Sequence, residues 1–333
     1  MTDTASLADS FGRAPTDLRI SVTDRCNFRC DYCMPSEGVQ FRPHEAILTF
    51  EEIERLVRTA AGLGIRKVRL TGGEPLVRKG ICRLVEMLVA VPGIEEVAMT
   101  TNGALLADYA GPLAAAGLRR LNVSLDTLRR DRFLEISHCD ELPRVLEGIA
   151  AACRAGFRQV KLNTVAVRGR TETEVAPLAQ FARELGVELR FIEFMPADGG
   201  DRWTSRQVLP GNEILEILAR EIGPLEPVLE PGGNAPAVRY RFADGRGSIG
   251  LIRSVSHPFC DRCGRLRLTA EGSLRNCIFA GRSWDARALL RGGATDGQLA
   301  GLLRQAVWAK KRQHGSDNGE LVPTDRAMHQ IGG

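Results

Sequence analysis

Short stretches in which apolar and polar residues alternate take turns, along the first two thirds of the chain, with longer stretches whose apolar positions recur every three to four residues. The first pattern predicts strands over residues 18–23, 67–71, 96–100, 120–126, 160–167 and 188–195. The second predicts helices over 50–61, 81–91, 107–116, 142–155 and 174–185. Thr49 and Glu52 have the spacing of a capping box for the first helix, and Gly62, Gly117, Gly156 and Gly186 stand where helix C-terminal glycines are expected. Such strand–helix repetition predicts a parallel sheet, doubly wound or closed into a barrel.

Residues two apart on a strand share a face. Leu18, Ile20 and Val22 share one face of the first strand, and Arg19, Ser21 and Thr23 the other. Likewise Lys67, Arg69 and Thr71 oppose Val68 and Leu70. Arg120, Asn122, Ser124 and Asp126 oppose Leu121, Val123 and Leu125, and Lys161 with Asn163 opposes Leu162. A closed eight-stranded barrel fills its interior mainly with Val, Ile and Leu. Six strands with polar inner faces therefore predict an α/β fold of another kind, an incomplete (β/α)6 barrel of TIM type, whose interior is a substrate cavity.

Past Met195 the pattern changes. Gly- and Pro-rich connections cover 197–201 and 230–236, strands are predicted over 238–242 and 248–253, and a Cys-bearing loop leads into helical segments up to about residue 311. The expected division is an N-terminal segment (1–16), the partial barrel (17–204), a smaller α+β unit (205–312) and a polar tail (313–333) that ends in Ile331-Gly332-Gly333. The length, 333 residues, agrees with roughly two domains.

Hydrophobic residues make up 44% and charged residues 26%, which excludes a mainly disordered chain. No run approaches about 18 apolar residues, so no membrane span is expected. Residues 1–15 carry Asp3 and Asp9 and lack an apolar core, so they do not read as a secretion signal, and a cytoplasmic protein is expected. The net charge of +4 is scattered, and three Trp and three Tyr offer few stacking platforms, so nucleic acid is not an expected partner. A small anionic substrate suits the same balance.

Nine cysteines in a reducing compartment are not expected to form disulfides, and six are spaced as ligands. Cys26-x3-Cys30-x2-Cys33 follows the first strand, and Cys260-x2-Cys263-x13-Cys277 lies in the smaller unit. Three thiolates can hold three irons of a four-iron cluster, where a full set would be four. Each set then keeps one iron open for a ligand, as catalytic zinc sites do. A second reading is a zinc site from Cys30, Cys33, Cys260 and Cys263, but paired C-x2-C sites have about 15–20 intervening residues, far fewer than here, and Cys26 and Cys277 would be stranded. Polar motifs end the other strands: Thr71-Gly72-Gly73-Glu74-Pro75, Thr100-Thr101-Asn102-Gly103, Ser124-Leu125-Asp126 and Glu193-Phe194-Met195-Pro196. Glu74 could accept from an ammonium. Arg19, Arg69 and Lys161 lie on polar strand faces without an evident run of carboxylates, which favours an anionic ligand such as a triphosphate over internal pairing with Asp126 or Glu193.

The segment from Cys26 to Cys33, with Tyr32 before the third Cys, resembles the signature loop of the radical S-adenosylmethionine (SAM) enzymes, and Gly72-Gly73-Glu74-Pro75 resembles their SAM amino-group motif. That resemblance implies a cluster whose open iron chelates SAM, with one electron cleaving SAM to methionine and a 5′-deoxyadenosyl radical. Residues 17–25, 121–126, 190–195, the block from Cys260 to Cys277 and the terminal Gly332-Gly333 further resemble the GTP 3′,8-cyclase family of molybdenum cofactor biosynthesis. The resemblance implies two [4Fe-4S] clusters, held by Cys26, Cys30 and Cys33 and by Cys260, Cys263 and Cys277. It implies SAM contacts from Tyr32, Gly73, Ser124 and Met195, and GTP contacts from Arg19, Arg69, Thr100, Lys161, Arg265, Leu266 and Arg267. It gives catalytic roles to Arg265, Arg267, Gly332 and Gly333, with guanine at the open iron of the second cluster. Hydrogen abstraction from C3′ of GTP and attack on C8 would yield (8S)-3′,8-cyclo-7,8-dihydroguanosine 5′-triphosphate, which passes to cyclic pyranopterin monophosphate synthase. The sequence leaves the reductant protein unidentified and a homodimer open. Residues 137–140, Ser137-His138-Cys139-Asp140, are less familiar for this family and lie outside its ligand motifs.

Two alternatives remain at this point: another twin-cluster radical SAM enzyme, such as one that modifies peptides, and a zinc-stabilised binding module. Gly245-Arg246-Gly247-Ser248-Ile249-Gly250 matches G-x-G-x-x-G, but a strand rather than a helix follows, so a hairpin turn is expected. Cys82 and Cys153 sit on apolar helices and read as core.

Overall fold

The computed structural model describes residues 7–34, 39–197, 203–228, 235–314, 321, 323–324 and 326–332. Six parallel strands alternate with helices: β1 (Asp17–Ser21), β2 (Lys67–Thr71), β3 (Glu96–Thr101), β4 (Arg120–Ser124), β5 (Gln159–Ala166) and β6 (Glu188–Glu193). The helices between them are α1 (Phe50–Gly62), α2 (Ile81–Val89), α3 (Leu106–Ala115), α4 (Arg130–Ser137), α5 (Leu142–Arg154) and α6 (Val175–Leu185). Leu18, Ile20, Leu70, Leu121, Val123 and Leu162 are fully buried beneath the apolar faces of these helices, so the polar strand faces turn to the barrel interior, as expected.

The capping box forms at Thr49 and Glu52. Gly117, Gly156 and Gly186 take positive φ just past their helices, whereas Gly62 stays inside α1 and Gly64, at φ 109°, makes the turn. Helix α4 was not expected. It buries only Phe133 and Ser137, too few apolar positions to leave a helical period in the sequence. Three strands stop two residues before the expected ends, at Ser21, Ser124 and Glu193. The residues beyond have left the ladder to serve the cavity mouth: Asp126, for instance, accepts from Val165 N at 2.8 Å and Tyr32 Oη at 2.6 Å.

The later part of the chain adds α7 (Gly211–Glu221), β7 (Leu225–Pro227), β8 (Val238–Phe242), β9 (Ser248–Ile252), β10 (Arg265–Leu268), β11 (Ser273–Arg275), β12 (Trp284–Asp285), α8 (Ala286–Arg291), α9 (Asp296–Trp308) and α10 (Met328–Ile331). Its strands join both edges of the partial barrel: β10 pairs in parallel with β1, and β9 in parallel with β6. One twelve-stranded open sheet results, in the order β12-β11-β10-β1-β2-β3-β4-β5-β6-β9-β8-β7. The connection from β9 to β10 therefore runs from one edge of the barrel to the other, and it carries Cys260 and Cys263. The G-x-G-x-x-G segment is the β8–β9 hairpin, as expected. Among the described residues, no helix is long and apolar enough to cross a membrane.

Candidate active site

Strand register brings three guanidinium groups side by side. Arg267 of β10 is the partner of Arg19 on β1, and Arg19 is the partner of Arg69 on β2. Adjacent strands lie about 4.8 Å apart, so these like charges line one wall of the interior. Burial, with Arg265 and Arg267 beside it, pulls Arg19 well below the ordinary arginine range. Burial likewise brings Arg267 down to about 10, helped by Arg265. The Nε atoms of Arg19 and Arg69 are buried without a hydrogen-bond partner. With the Asn122 amide oxygen turned towards it, Arg69 Nη1 donates at 2.9 Å. A fold keeps such a cluster only where an anion offsets its cost.

A cavity of about 310 Å³ opens at the C-terminal ends of the strands. That falls within the roughly 300–1000 Å³ of small-ligand sites. Its lining includes all six motif cysteines together with Arg19, Tyr32, Gly73, Thr100, Ser124, Met195, Arg265 and Arg267. The two triads thus face one space. Of the other expected contacts, Arg69 and Lys161 lie deeper in the barrel, and Leu266 is fully buried in the core, so only its backbone is available to a ligand. Gly332 reaches the barrel interior: Arg267 Nη1 donates to its carbonyl, and its α-carbon stands against Ser21 and Thr71. Gly333 lies outside the described residues.

The charge of Asp17 acts on both Arg19 and Arg69, while other carboxylates near the cavity are otherwise engaged. Glu193 accepts from Val255 N at 2.9 Å, Ser256 N at 2.7 Å and Ser256 Oγ at 2.6 Å, which fixes the loop entering the second cysteine set. Lys161 does have a carboxylate partner, but it is Glu188, at 3.0 Å, rather than Asp126 or Glu193. Glu74 is not free for an ammonium. Its carboxylate accepts from Leu76 N at 3.0 Å, Thr101 Oγ1 at 2.7 Å and Asn102 N at 2.7 Å, and so anchors two strand-end loops. Burial pushes Glu74 up to about 7 even so.

The two cysteine sets differ electrostatically. Burial raises Cys26 to about 11, with the charge of Glu74 adding to it, and Cys33 to about 12, with the charges of Cys26 and Asp126 adding to it. Burial acts on Cys263 in the same direction, but Lys310, Arg265, the Arg265 N–H and Arg267 overcome it and bring the thiol down to about 7. Asn102 Nδ2 lies 3.8 Å from Cys26 Sγ and Phe28 N donates to the same sulfur at 3.3 Å. Among the described residues no three His, Cys, Asp or Glu side chains converge on a mononuclear position. Three soft thiolates per set suit a polynuclear iron–sulfur cluster with one iron open, and the donors offered by Asn102, Phe28 and the cations suit its negative charge. Cys139 donates to the Asn27 carbonyl at 3.2 Å and belongs to neither set.

Several lining residues escaped the sequence reading. Phe259, on which Arg265 stacks at 4.5 Å, precedes Cys260, and His314 and Met328 are brought in by the tail.

Asp126 provides a pH test. Burial raises it from an ordinary 3.8 to about 6, although bonds from Tyr32 and Val165 pull the other way. Folding therefore favours its protonated form, and its contribution to stability is full below pH 4 and lost as pH rises through 6. The wild-type urea midpoint should fall across that interval by an amount equivalent to about 3 kcal/mol more than that of Asp126→Asn. Parallel pH dependences of the two proteins would contradict this.

Residues 20–182 match the model of the radical SAM superfamily, and 187–316 that of Molybdenum Cofactor Synthesis C. A Rhodopirellula baltica protein named GTP 3′,8-cyclase is 48% identical over 100% of this chain and 94% of its own length. One of the same name from Pelotomaculum thermopropionicum is 47% identical over 98% of this chain and 100% of its own. A crystal structure of Streptococcus suis SuiB bound to S-adenosylmethionine superposes with a TM-score of 0.60 over 87% of this chain and 68% of that one, at 17% identity, a likeness of fold.

Proposed function

The chain belongs to the GTP 3′,8-cyclase family of the radical SAM superfamily, and we propose that the cavity shared by its two cysteine triads and in-register arginines is where it cyclises GTP. The reaction converts GTP to (8S)-3′,8-cyclo-7,8-dihydroguanosine 5′-triphosphate in molybdenum cofactor synthesis, with SAM and iron–sulfur clusters as cofactors. The observation that carries the residue assignment is the row Arg267, Arg19 and Arg69 beside the cavity.

Cys26, Cys30 and Cys33 would hold the cluster that binds SAM, and Cys260, Cys263 and Cys277 the one that meets guanine. When bound, the first cluster with SAM supplies the one-electron chemistry that opens C–H abstraction from the ribose. The chain's own groups do the positioning. Arg19, Arg69 and Lys161 take the triphosphate, Arg265 and Arg267 steer the nucleotide between the triads, and Thr100 lines its path. Tyr32, Gly73, Ser124 and Met195 border the SAM side. The tail, entering at Gly332, covers the floor near Ser21 and Thr71 and excludes water from the reacting carbon. We assign the product to a cyclic pyranopterin monophosphate synthase as the next enzyme.

Anaerobic reconstitution with iron and sulfide, followed by SAM, a chemical reductant and GTP, should release 5′-deoxyadenosine and the cyclised nucleotide together. Inorganic triphosphate should compete with GTP. Release of 5′-deoxyadenosine without a cyclised nucleotide would overturn the assignment.

A further inference from the structure

Glu188 opens β6 at the N-terminal end of the barrel, 5% exposed, and none of the roles above uses it. Three cations converge on its single carboxylate: Lys161 Nζ of β5 at 3.0 Å, Arg190 Nε of the same strand, and Arg239 Nε of β8 at 3.0 Å. Lys161 and Arg190 are themselves 4% and 7% exposed, so positive charge is in excess in a poorly solvated place. Burial accordingly lowers both below their ordinary ranges.

Their position matters more. Asn163 stands two residues after Lys161 on the same face of β5, and Ile192 two after Arg190 on β6, and both line the cavity. Lys161 and Arg190 therefore form the layer just beneath the cavity floor, on long side chains. They are held there by a carboxylate rather than by packing alone. An anion entering from above has to compete with Glu188 for them.

Resting on the reading of this cavity as the GTP site, we propose that Glu188 is a positioning counterion, which holds Lys161 and Arg190 beneath the empty cavity until a ligand with enough negative charge draws them from it, and so tempers GTP affinity. A nucleoside monophosphate brings roughly −1.5 to −2 charges at pH 7, and each further phosphate adds about one more. Only the triphosphate both reaches the floor and exceeds the single carboxylate by a wide margin. Glu188 also prevents the emptied barrel from facing an uncompensated cation cluster, so one residue stabilises the free state and sets a cost that the triphosphate has to overcome.

The test measures equilibrium binding of GTP, GDP and GMP to the reconstituted enzyme and its variants. In Glu188→Gln, the ratio of GTP to GMP affinity should widen by about tenfold, because the ligand that reaches the floor no longer competes with a unit charge some 10 Å away in a protein interior. Glu188→Asp, which keeps the charge, should restore the wild-type ratio. Arg239→Gln carries the opposite sign: with one competitor gone, Glu188 grips Lys161 and Arg190 more firmly and the ratio narrows. If Glu188→Gln and Arg239→Gln shift all three affinities by equal factors, the proposal is wrong while the site stands. If Lys161→Met leaves GTP affinity unchanged and inorganic triphosphate fails to compete, the nucleotide site itself is misplaced and the proposal falls with it.

Discussion

Arg19→Met should make the unliganded protein more stable and almost unable to hold GTP. The two effects have one cause. Arg19 stands between Arg69 and Arg267 in register, with its Nε unpartnered, and burial together with Arg265 and Arg267 already weakens its hold on its proton. Replacing a buried, repelled charge by an apolar chain of similar length removes a desolvation cost, and gains of about 1–4 kcal/mol are typical of such exchanges. A gain near the lower end is expected here, because Asp17 loses an attractive neighbour. Removing one charged group from a desolvated ion contact costs about 2–5 kcal/mol of binding, so GTP affinity should drop at least roughly thirtyfold. Arg19→Lys should keep the charge and part of the affinity, but lose the forked geometry. Urea denaturation and calorimetric titration read the two effects separately. A variant that is less stable and binds GTP normally would mean that Arg19 serves the fold and not the ligand.

The same arginine shows how far the sequence could be read. Period-two alternation placed Arg19, Arg69 and Lys161 on an inner face correctly, because burying Leu18, Ile20, Val68, Leu70 and Leu162 outside forces it. Alternation along one strand says nothing about register between strands. That Arg267, from a segment more than two hundred residues later, lies beside Arg19 depends on β10 joining the barrel edge, a long-range pairing. Glu188 was invisible for a related reason. It was assigned to a strand with no marked polar face, and its three partners come from β5, β6 and β8. Cysteine spacing was legible since ligands on one loop are local. The role of Glu74 was not: its acceptor capacity is consumed by Thr101 and Asn102, which belong to another strand end. Local chemistry was thus readable, and the allocation of each carboxylate among competing donors was set by the fold.

Gly73→Ala should abolish SAM cleavage without unfolding the barrel. A Cβ built on Gly73 meets Arg25 O at 2.2 Å, Arg25 C at 2.5 Å and Asp24 O at 2.9 Å. All three are backbone atoms, so no side chain can swing aside. The contact is close because the two loops are hydrogen-bonded there: Gly73 N donates to Thr23 O at 2.7 Å and Glu74 N to Arg25 O at 2.8 Å. Residues 23–25 run directly into Cys26, so the methyl group has to push the first ligand of the triad away from Cys30 and Cys33. Asn102, anchored by Glu74 and donating to Asn27 Oδ1 at 2.8 Å, would be displaced with it. A misplacement of about 1 Å at a reacting centre costs on the order of a hundredfold, and a lost cluster ligand costs more. Overpacking of this kind destabilises by about 1–3 kcal/mol, within what a core of this size tolerates. Gly64→Ala is the control: it sits at positive φ, as Gly73 does not, so alanine strains the backbone there, but nothing lies within 4 Å of the added carbon and it is remote from the triads. The expected outcome is reduced iron and loss of 5′-deoxyadenosine formation in Gly73→Ala, with wild-type values in Gly64→Ala. Full iron loading with normal SAM cleavage in Gly73→Ala would show that the loop before Cys26 moves without disturbing its ligand, and that the tight contact at Gly73 does not serve the cluster.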